Sequence, residues 1–575
     1  MATNRVENTG QALLDLLAAN GIEYLFANAG SDFASIIDGL ARAARLGLRS
    51  PKPVLCPHES AGVSAAHAYA LATGRPAAVM VHSTVGTGNA VCALLNAARA
   101  HAPILFLAGH PPLAETGVRG AKDLCIHWAQ QLPDQNGLVR QFVKWDFRVD
   151  SPNRLEGAVR RGLAIAMTEP MGPVYISIPR DVLEAPVSNW RSGPPAVAWG
   201  AALPACPHPE PVRQLADWIA NASFPLIVTR SYGKSAEAVA ALVRLAESFA
   251  IAVTEFQIPE FVNFPASHAL HQGYPLDRNP LLAEADLVIA LDNPMPWTPA
   301  VESPRAGARI AHIGPDPLQT PYPVWGFDGH LWLTGNSLLT VEALAAQLNP
   351  RRTGNEDRIA ARFANLAARS AKRRELSASA TAEPGEGPAS FAWLSRCLRH
   401  AIDAVEPEAI VIQEYDLDLE QSAFDRPGSC YGFSASGGLG FGVGGALGLA
   451  LAKPERTVIS VVGDGTYLLG SPEACHMIAA THRLPVLWVV CNNRGWQRVA
   501  FITGMLHPRG AAAETGTFPL TQFPPVRFEL ICQAAGGDGE TVAAPGDLPA
   551  ALQRGLRSVK EHRRQYLLNV ECGPL

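Results

Sequence analysis

The chain is predicted to be an α/β protein of three doubly wound parallel-sheet units, and three observations lead there. Short apolar runs such as IEYLFAN, AAVMVH, PILFLAG and GPVYISIP alternate with helical stretches, the pattern of a parallel sheet covered on both faces. The alternation resumes twice, after a proline-rich connector and after a polar one. At 575 residues the chain is too long for one compact core and suits roughly three to four domains.

In the first unit (1–190) a helix from about Gly10 to Asn20 leads to IEYLFAN, and SAGVSAAHAYALAT leads to AAVMVH. GTGNAVCALLNAARA then leads to PILFLAG, and GPVYISIP closes the unit. The connector SGPPAVAWGAALPACPHPEP (192–211) marks a boundary. A middle unit (206–350) carries the strands PLIVTR, IAVTEF, DLVIALD and RIAHIG around the helix AEAVAALVRLAESFA. Residues 351–390 are polar and predict a linker with one helix. The third unit (391–575) has the strands AIVIQE, TVISVVG, PVLWVV and YLLNVE. Each unit is of ordinary domain size.

Composition removes several function classes. A net charge of −5 gives no basic footprint for nucleic acid, and Lys372, Arg373 and Arg374 read as a solvated helix face. The ten cysteines form no CxxC pair, which argues against zinc and against a secreted disulfide framework. No signal peptide is evident at MATNRVENTG. The most apolar stretch, GGLGFGVGGALGLALA, is too short and glycine-rich for a membrane span. A cytoplasmic protein is expected, with no nucleic acid or membrane partner.

Gly440, Gly442 and Gly445 form a GxGxxG, but it follows SCYGFSAS rather than a strand. Without that context the glycines read as tight helix packing, not as a dinucleotide loop. Asp464 is more informative. In TVISVVGDG it stands at a strand's carboxyl end, where open α/β sheets bind ligands. Gly463 and Gly465 let backbone approach a phosphate, and Thr466 adds a hydroxyl. After 26 further residues (466–491) the next strand ends in CNNRGW. Two neighbouring strand ends thus offer the Asp464 carboxylate, the Asn493 amide oxygen and the Gly495 carbonyl, oxygen ligands that suit Mg²⁺.

GDG, 26 residues, then NN resembles the signature of the thiamine diphosphate (ThDP) enzymes, in the acetolactate synthase and benzoylformate decarboxylase group. The resemblance covers the chain. It implies a pyrimidine-binding domain, a middle domain and a diphosphate-binding domain in that order, with Asp464, Asn493 and Gly495 as Mg²⁺ ligands. It further implies a glutamate against the cofactor's aminopyrimidine, which VLCPHESAGVSAAHAYALATGRPA supplies as Glu59. That carboxyl favours the ring's imino form, which takes the thiazolium proton; such proton sharing works best in a dry site. Leu439, after Gly438 in SGGLGFGVGGALG, matches the apolar wedge beneath the two cofactor rings.

HSTVGTGNAVCALLNA resembles the benzoylformate decarboxylase segment with a proton-relaying histidine, here His82, and ANAGSDF resembles its substrate-binding loop, making Ser31 a carboxylate contact. EPMGPVYISIPRDV and IHWAQQLPDQNGLVRQFVKW resemble acetolactate synthase instead. Tyr415 and Asp416 depart from both, standing where small hydroxyl residues are usual. The middle unit shows no nucleotide fingerprint, so no flavin is expected, and Trp297 is expected to pack a loop. The resemblance therefore implies decarboxylation of a small 2-oxo acid to an enamine, then protonation to an aldehyde or transfer to a carbonyl acceptor. It also implies a homodimer at least, with a homotetramer expected and Glu59 and Asp464 facing across subunits. The alternatives are a carbon–carbon lyase acting on a 2-hydroxyacyl-CoA or a diketone, and a non-catalytic ThDP-binding paralogue.

Overall fold

The computed structural model describes residues 6–188, 190, 200–380, 385, 387–414, 417–434 and 436–573. Tyr415, Asp416 and residues 192–199 of the 192–211 connector lie outside the described residues. Three sheets form, and every strand pair in them is parallel.

The first sheet holds β1 (Tyr24–Asn28), β2 (Lys52–Leu55), β3 (Ala77–Val81), β4 (Ile104–His110), β5 (Asp146–Arg148) and β6 (Val174–Pro179), in the order β2-β1-β3-β4-β6-β5. The middle sheet holds β7 (Pro225–Thr229), β8 (Ala252–Glu255), β9 (Leu287–Leu291), β10 (Arg309–Gly314) and β11 (Leu331–Thr334), in the order β11-β10-β9-β7-β8. The third holds β12 (Ile410–Glu414), β13 (Cys430–Tyr431), β14 (Val458–Gly463), β15 (Val486–Asn492), β16 (Asp538–Val542) and β17 (Tyr566–Glu571), in the order β13-β12-β14-β15-β17-β16.

The first and third sheets thus share one topology. In each, the order turns back between the first and third strands in sequence, β1 and β3 or β12 and β14. Such a switch point opens a crevice at the strands' carboxyl ends. The central strands are buried on both faces, β3, β4 and β15 without exception, which is why they read as continuous apolar runs.

The two end units meet through the Glu59–Thr73 helix and the Phe441–Ala452 helix, whose core side chains belong to one cluster. The glycines of FGVGGALGLALA make that approach possible. A Cβ on Gly444 would stand 2.6 Å from the Ser64 Cβ, and one on Gly448 would collide with the Ala65 carbonyl oxygen. A Cβ on Gly442 would stand 2.8 Å from Val462, and one on Gly445 2.7 Å from Ile412. The GxGxxG therefore serves helix packing.

Among its described residues the 351–390 segment carries the helix Glu356–Ala380. It is docked rather than free: the Arg362 guanidinium donates to the carbonyls of Ala222, Phe249 and Ala250. Trp297 packs edge-on against Phe327 with ring centroids 5.3 Å apart. At the carboxyl edge of β7, β9 and β10 a cleft faces the first unit, lined by Arg99, Lys234, Asp292 and Asp316 among others. Among the described residues no helix is long and apolar enough to cross a membrane.

Candidate active site

At the third sheet's switch point, Asp464 follows β14 and opens the short helix Asp464–Leu469. Its side chain is 2% exposed. Oδ1 accepts the Gly465 N–H at 2.7 Å and Oδ2 the Gly495 N–H at 3.0 Å. Burial raises the Asp464 pKa, against the opposing effect of the amide N–H groups around it. Gly495 is held at φ +154°, and a Cβ there would collide with the Thr521 carbonyl oxygen, so only glycine fits.

The two asparagines beside it differ in kind. Asn492 is structural: its Nδ2 donates to Asn569 Oδ1 at 3.0 Å, and its Oδ1 accepts the Arg494 N–H at 3.2 Å. The Asn493 Oδ1 is buried and has no partner among the described residues. A buried amide oxygen without a donor is costly, and a bound cation would complete it. Asp464, Asn493 and Gly495 stand on two adjacent strand ends, and a Cβ on Gly465 would run into the Trp496 indole. Gly463, before Asp464, and Thr466, buried behind it, complete the turn. The donor set and the orphaned oxygen fit a metal-bound diphosphate.

Glu414, at the end of neighbouring β12, is a residue that sequence reasoning passed over. Its Oε2 accepts the N–H groups of Gly440 (3.2 Å) and Gly442 (2.7 Å), while the buried Oε1 has no partner among the described residues. Burial pushes this carboxyl up to about 8, in spite of those amides. It fixes the turn that carries Leu439 between Gly438 and Gly440.

At the first sheet's switch point Glu59 opens the Glu59–Thr73 helix and is buried. It is not simply a helix N-terminal charge: Oε1 accepts from Asn28 Nδ2 and Oε2 from Asn89 Nδ2, each at 3.0 Å. Asn28 ends β1, and Asn89 lies on the Ser83–Arg99 helix. His82 follows β3, with Nδ1 2.6 Å from Asp32 Oδ1 and Nε2 3.2 Å from Gln130 Nε2. The Asp32 hydrogen bond raises the His82 pKa against partial burial.

Ser31 is exposed in the turn after β1, and its Oγ lies 3.5 Å from Nε2 of the buried His127. His127 also lies 3.4 Å from the Arg180 guanidinium, which forms a bidentate pair with Asp123. Burial and then Arg180 lower the His127 pKa. Sequence reasoning placed no second histidine here, because His127 sits on a four-residue helix (Ile126–Ala129) with no periodic signal.

Among the described residues, no hydrogen bond or ion pair links Glu59 or His82 to Asp464 or Asn493 within one chain. The two end units instead join through Asn96, which donates to the Gly438 carbonyl at 2.6 Å and accepts its N–H at 3.1 Å.

Comparison with known proteins points to one family. Residues 7–138 match the model of the thiamine pyrophosphate enzyme N-terminal TPP binding domain, and residues 416–570 that of the C-terminal TPP binding domain. A benzoylformate decarboxylase of Pseudomonas aeruginosa is 28% identical over 568 residues, covering 95% of this chain and 96% of its own. An acetolactate synthase large subunit of Parasynechococcus marenigrum is 28% identical over 504 residues, covering 84% and 76%. The solved ThDP-dependent 4-hydroxybenzoylformate decarboxylase of Rhodococcus jostii RHA1 superposes with a TM-score of 0.77 at 22% identity, covering 98% of this chain and 99% of that one. Matched near both ends to the two cofactor-binding domains of one family, the chain belongs to the thiamine diphosphate-dependent enzymes.

Proposed function

We propose that the protein uses ThDP and Mg²⁺ to cleave the bond between the carboxylate and the carbonyl carbon of a 2-oxo acid. The product is an aldehyde, or a hydroxyketone when a second carbonyl takes the acyl unit. The observation that carries this is the pairing of the two switch points. One holds an oxygen-ligand set with an orphaned amide oxygen at Asn493; the other holds a buried glutamate beside a histidine and a serine. The benzoylformate decarboxylase relative, aligned over nearly the whole chain, supports a 2-oxo acid as substrate.

When bound, ThDP supplies the electron sink for breaking a carbon–carbon bond beside a carbonyl. Asp464, Asn493 and the Gly495 carbonyl would hold the metal, and the turn of Gly463, Gly465 and Thr466 would let backbone approach the diphosphate. Gly438 and Leu439, on the turn that Glu414 fixes, would support the cofactor's rings. Glu59, fixed from both sides by Asn28 and Asn89, holds a proton at the aminopyrimidine nitrogen. Ser31 orients the substrate carboxylate, and His82 moves a proton at Nε2.

The active assembly is a homodimer at least. In support, apolar side chains stand in the open on the first unit (Leu124, Ile126, Trp128) and along the Gln497–Leu506 helix, where Phe501 is 54% and Leu506 66% exposed. A panel of 2-oxo acids, with and without aldehyde acceptors, followed by product mass spectrometry, tests the function. Carbon dioxide with an aldehyde or hydroxyketone is expected. No turnover of any acid by protein shown to bind ThDP would overturn the reading in favour of a non-catalytic paralogue.

A further inference from the structure

The environment of His82 contains a partner that the proposed roles leave unused. Asp32 lies in the one-turn helix Ser31–Phe33 after β1 and is 3% exposed. Because Asn28 and Val81 are in register at the ends of β1 and β3, the turn after one strand faces the residue after the other. Oδ1 of Asp32 lies 2.6 Å from His82 Nδ1, and Oδ2 accepts the Ser83 N–H at 3.2 Å. Both oxygens are thereby assigned. Two acceptors would repel at 2.6 Å, so a proton lies between them, and in the neutral imidazole that proton sits on Nδ1.

The surroundings are cut to fit this pair. A Cβ on Gly30 would collide with the His82 ring, and one on Gly109 of β4 with the Asp32 carboxylate. Of the other charged groups near the imidazole, Glu59 from its helix favours the protonated form. His127, held by Arg180 and Asp123, lies near enough to feel the charges of Asp32 and His82.

We propose that Asp32 is a positioning residue for proton transfer by His82: its carboxylate fixes the imidazole with the proton on Nδ1 and leaves Nε2 as the exchanging atom. The inference rests on the reading of His82 as a proton carrier. The proton that leaves Nε2 for the reacting carbon is replaced from water, so the imidazolium–imidazole cycle closes without a further reagent. The raised pKa of His82 fits the same arrangement, since the Asp32 hydrogen bond is its largest cause.

Asp32→Asn keeps the shape and removes the charge. In the cofactor-free protein, ¹⁵N NMR of His82, assigned by its loss in His82→Gln, should show a titration shifted to lower pH by about one unit. The single Nδ1–H tautomer of the parent should also be lost. In the loaded enzyme kcat should fall about tenfold to a hundredfold at neutral pH, with KM within about twofold. An unchanged His82 titration, or a KM effect with kcat intact, would overturn the proposal. If Asp32→Asn does not fold, the parent protein decides: an Nε2–H tautomer in neutral His82 overturns the proposal, and an Nδ1–H tautomer supports it. His82→Ala with full kcat would sink the parent reading separately, whatever the Asp32→Asn titration shows.

Discussion

Asn493 differs from Asn492 by one missing hydrogen-bond donor, and that difference sets two expectations at the scale of single side chains. ThDP with Mg²⁺ at 100-fold excess over its Kd stabilises a protein by about 2.7 kcal/mol. Asn493→Ala should lose most of that shift in a thermal melt while melting like the parent without ligand, since the amide oxygen has no protein partner to lose. Glu59→Gln should cut turnover by about a hundredfold or more yet keep ThDP binding, as measured by calorimetry. The placement of Asp464, Asn493 and Glu59 just after strands was legible because each closely follows an apolar run. Asp32, His127 and Glu414 were not. Asp32 gains meaning only when β1 and β3 lie side by side, and His127 only when a loop folds back over Ser31. Glu414 needs the glycine turn 26 residues later to supply its amides.

Between elements, the contact of the Glu59–Thr73 and Phe441–Ala452 helices is set by missing side chains. Gly448→Ala would drive a methyl group into the Ala65 carbonyl. Overpacking of this kind costs about 1–3 kcal/mol, to be read from urea unfolding. Glu414 ties the same Phe441–Ala452 helix to β12, and burial pushes its carboxyl up to about 8. The folded protein therefore keeps a proton that the unfolded chain releases at the ordinary glutamate value. Stability contributed by this group is lost as pH rises from that value through about 8. Glu414→Gln should flatten this dependence, so that its urea midpoint differs less between pH 5 and pH 8 than the parent's. The glycine-rich helix was readable as packing from sequence, because no strand precedes its GxGxxG; which helix it packs on was not.

Across the whole molecule, the recurrence of one strand order in the first and third sheets gives two switch points, each holding half of the proposed chemistry. If Glu59 of one subunit serves Asp464 of the other, inactive Glu59→Gln and Asp464→Asn proteins should complement when dissociated and re-mixed. Each mixed dimer then holds one intact site, and statistical mixing gives about a quarter of the parental activity. Sites formed within a single chain would give none. The sheet centres were legible, since their strands are buried on both faces and read as apolar runs. The edges were not: β5, β11, β13 and β16 are two to five residues long and carry no comparable run.

The indole of Trp496 lies where a Cβ on Gly465 would be, one residue from Asp464 on one side and from Gly495 on the other. The same ring meets Phe523 edge-on, with centroids 5.1 Å apart. Any ion or phosphate entering between these strand ends changes the field felt by that chromophore. If ThDP and metal load at the proposed site, Trp496 is an optical gauge of that loading. Among its eleven tryptophans, Trp496 is the one whose replacement by phenylalanine should silence the emission change on adding ThDP and metal.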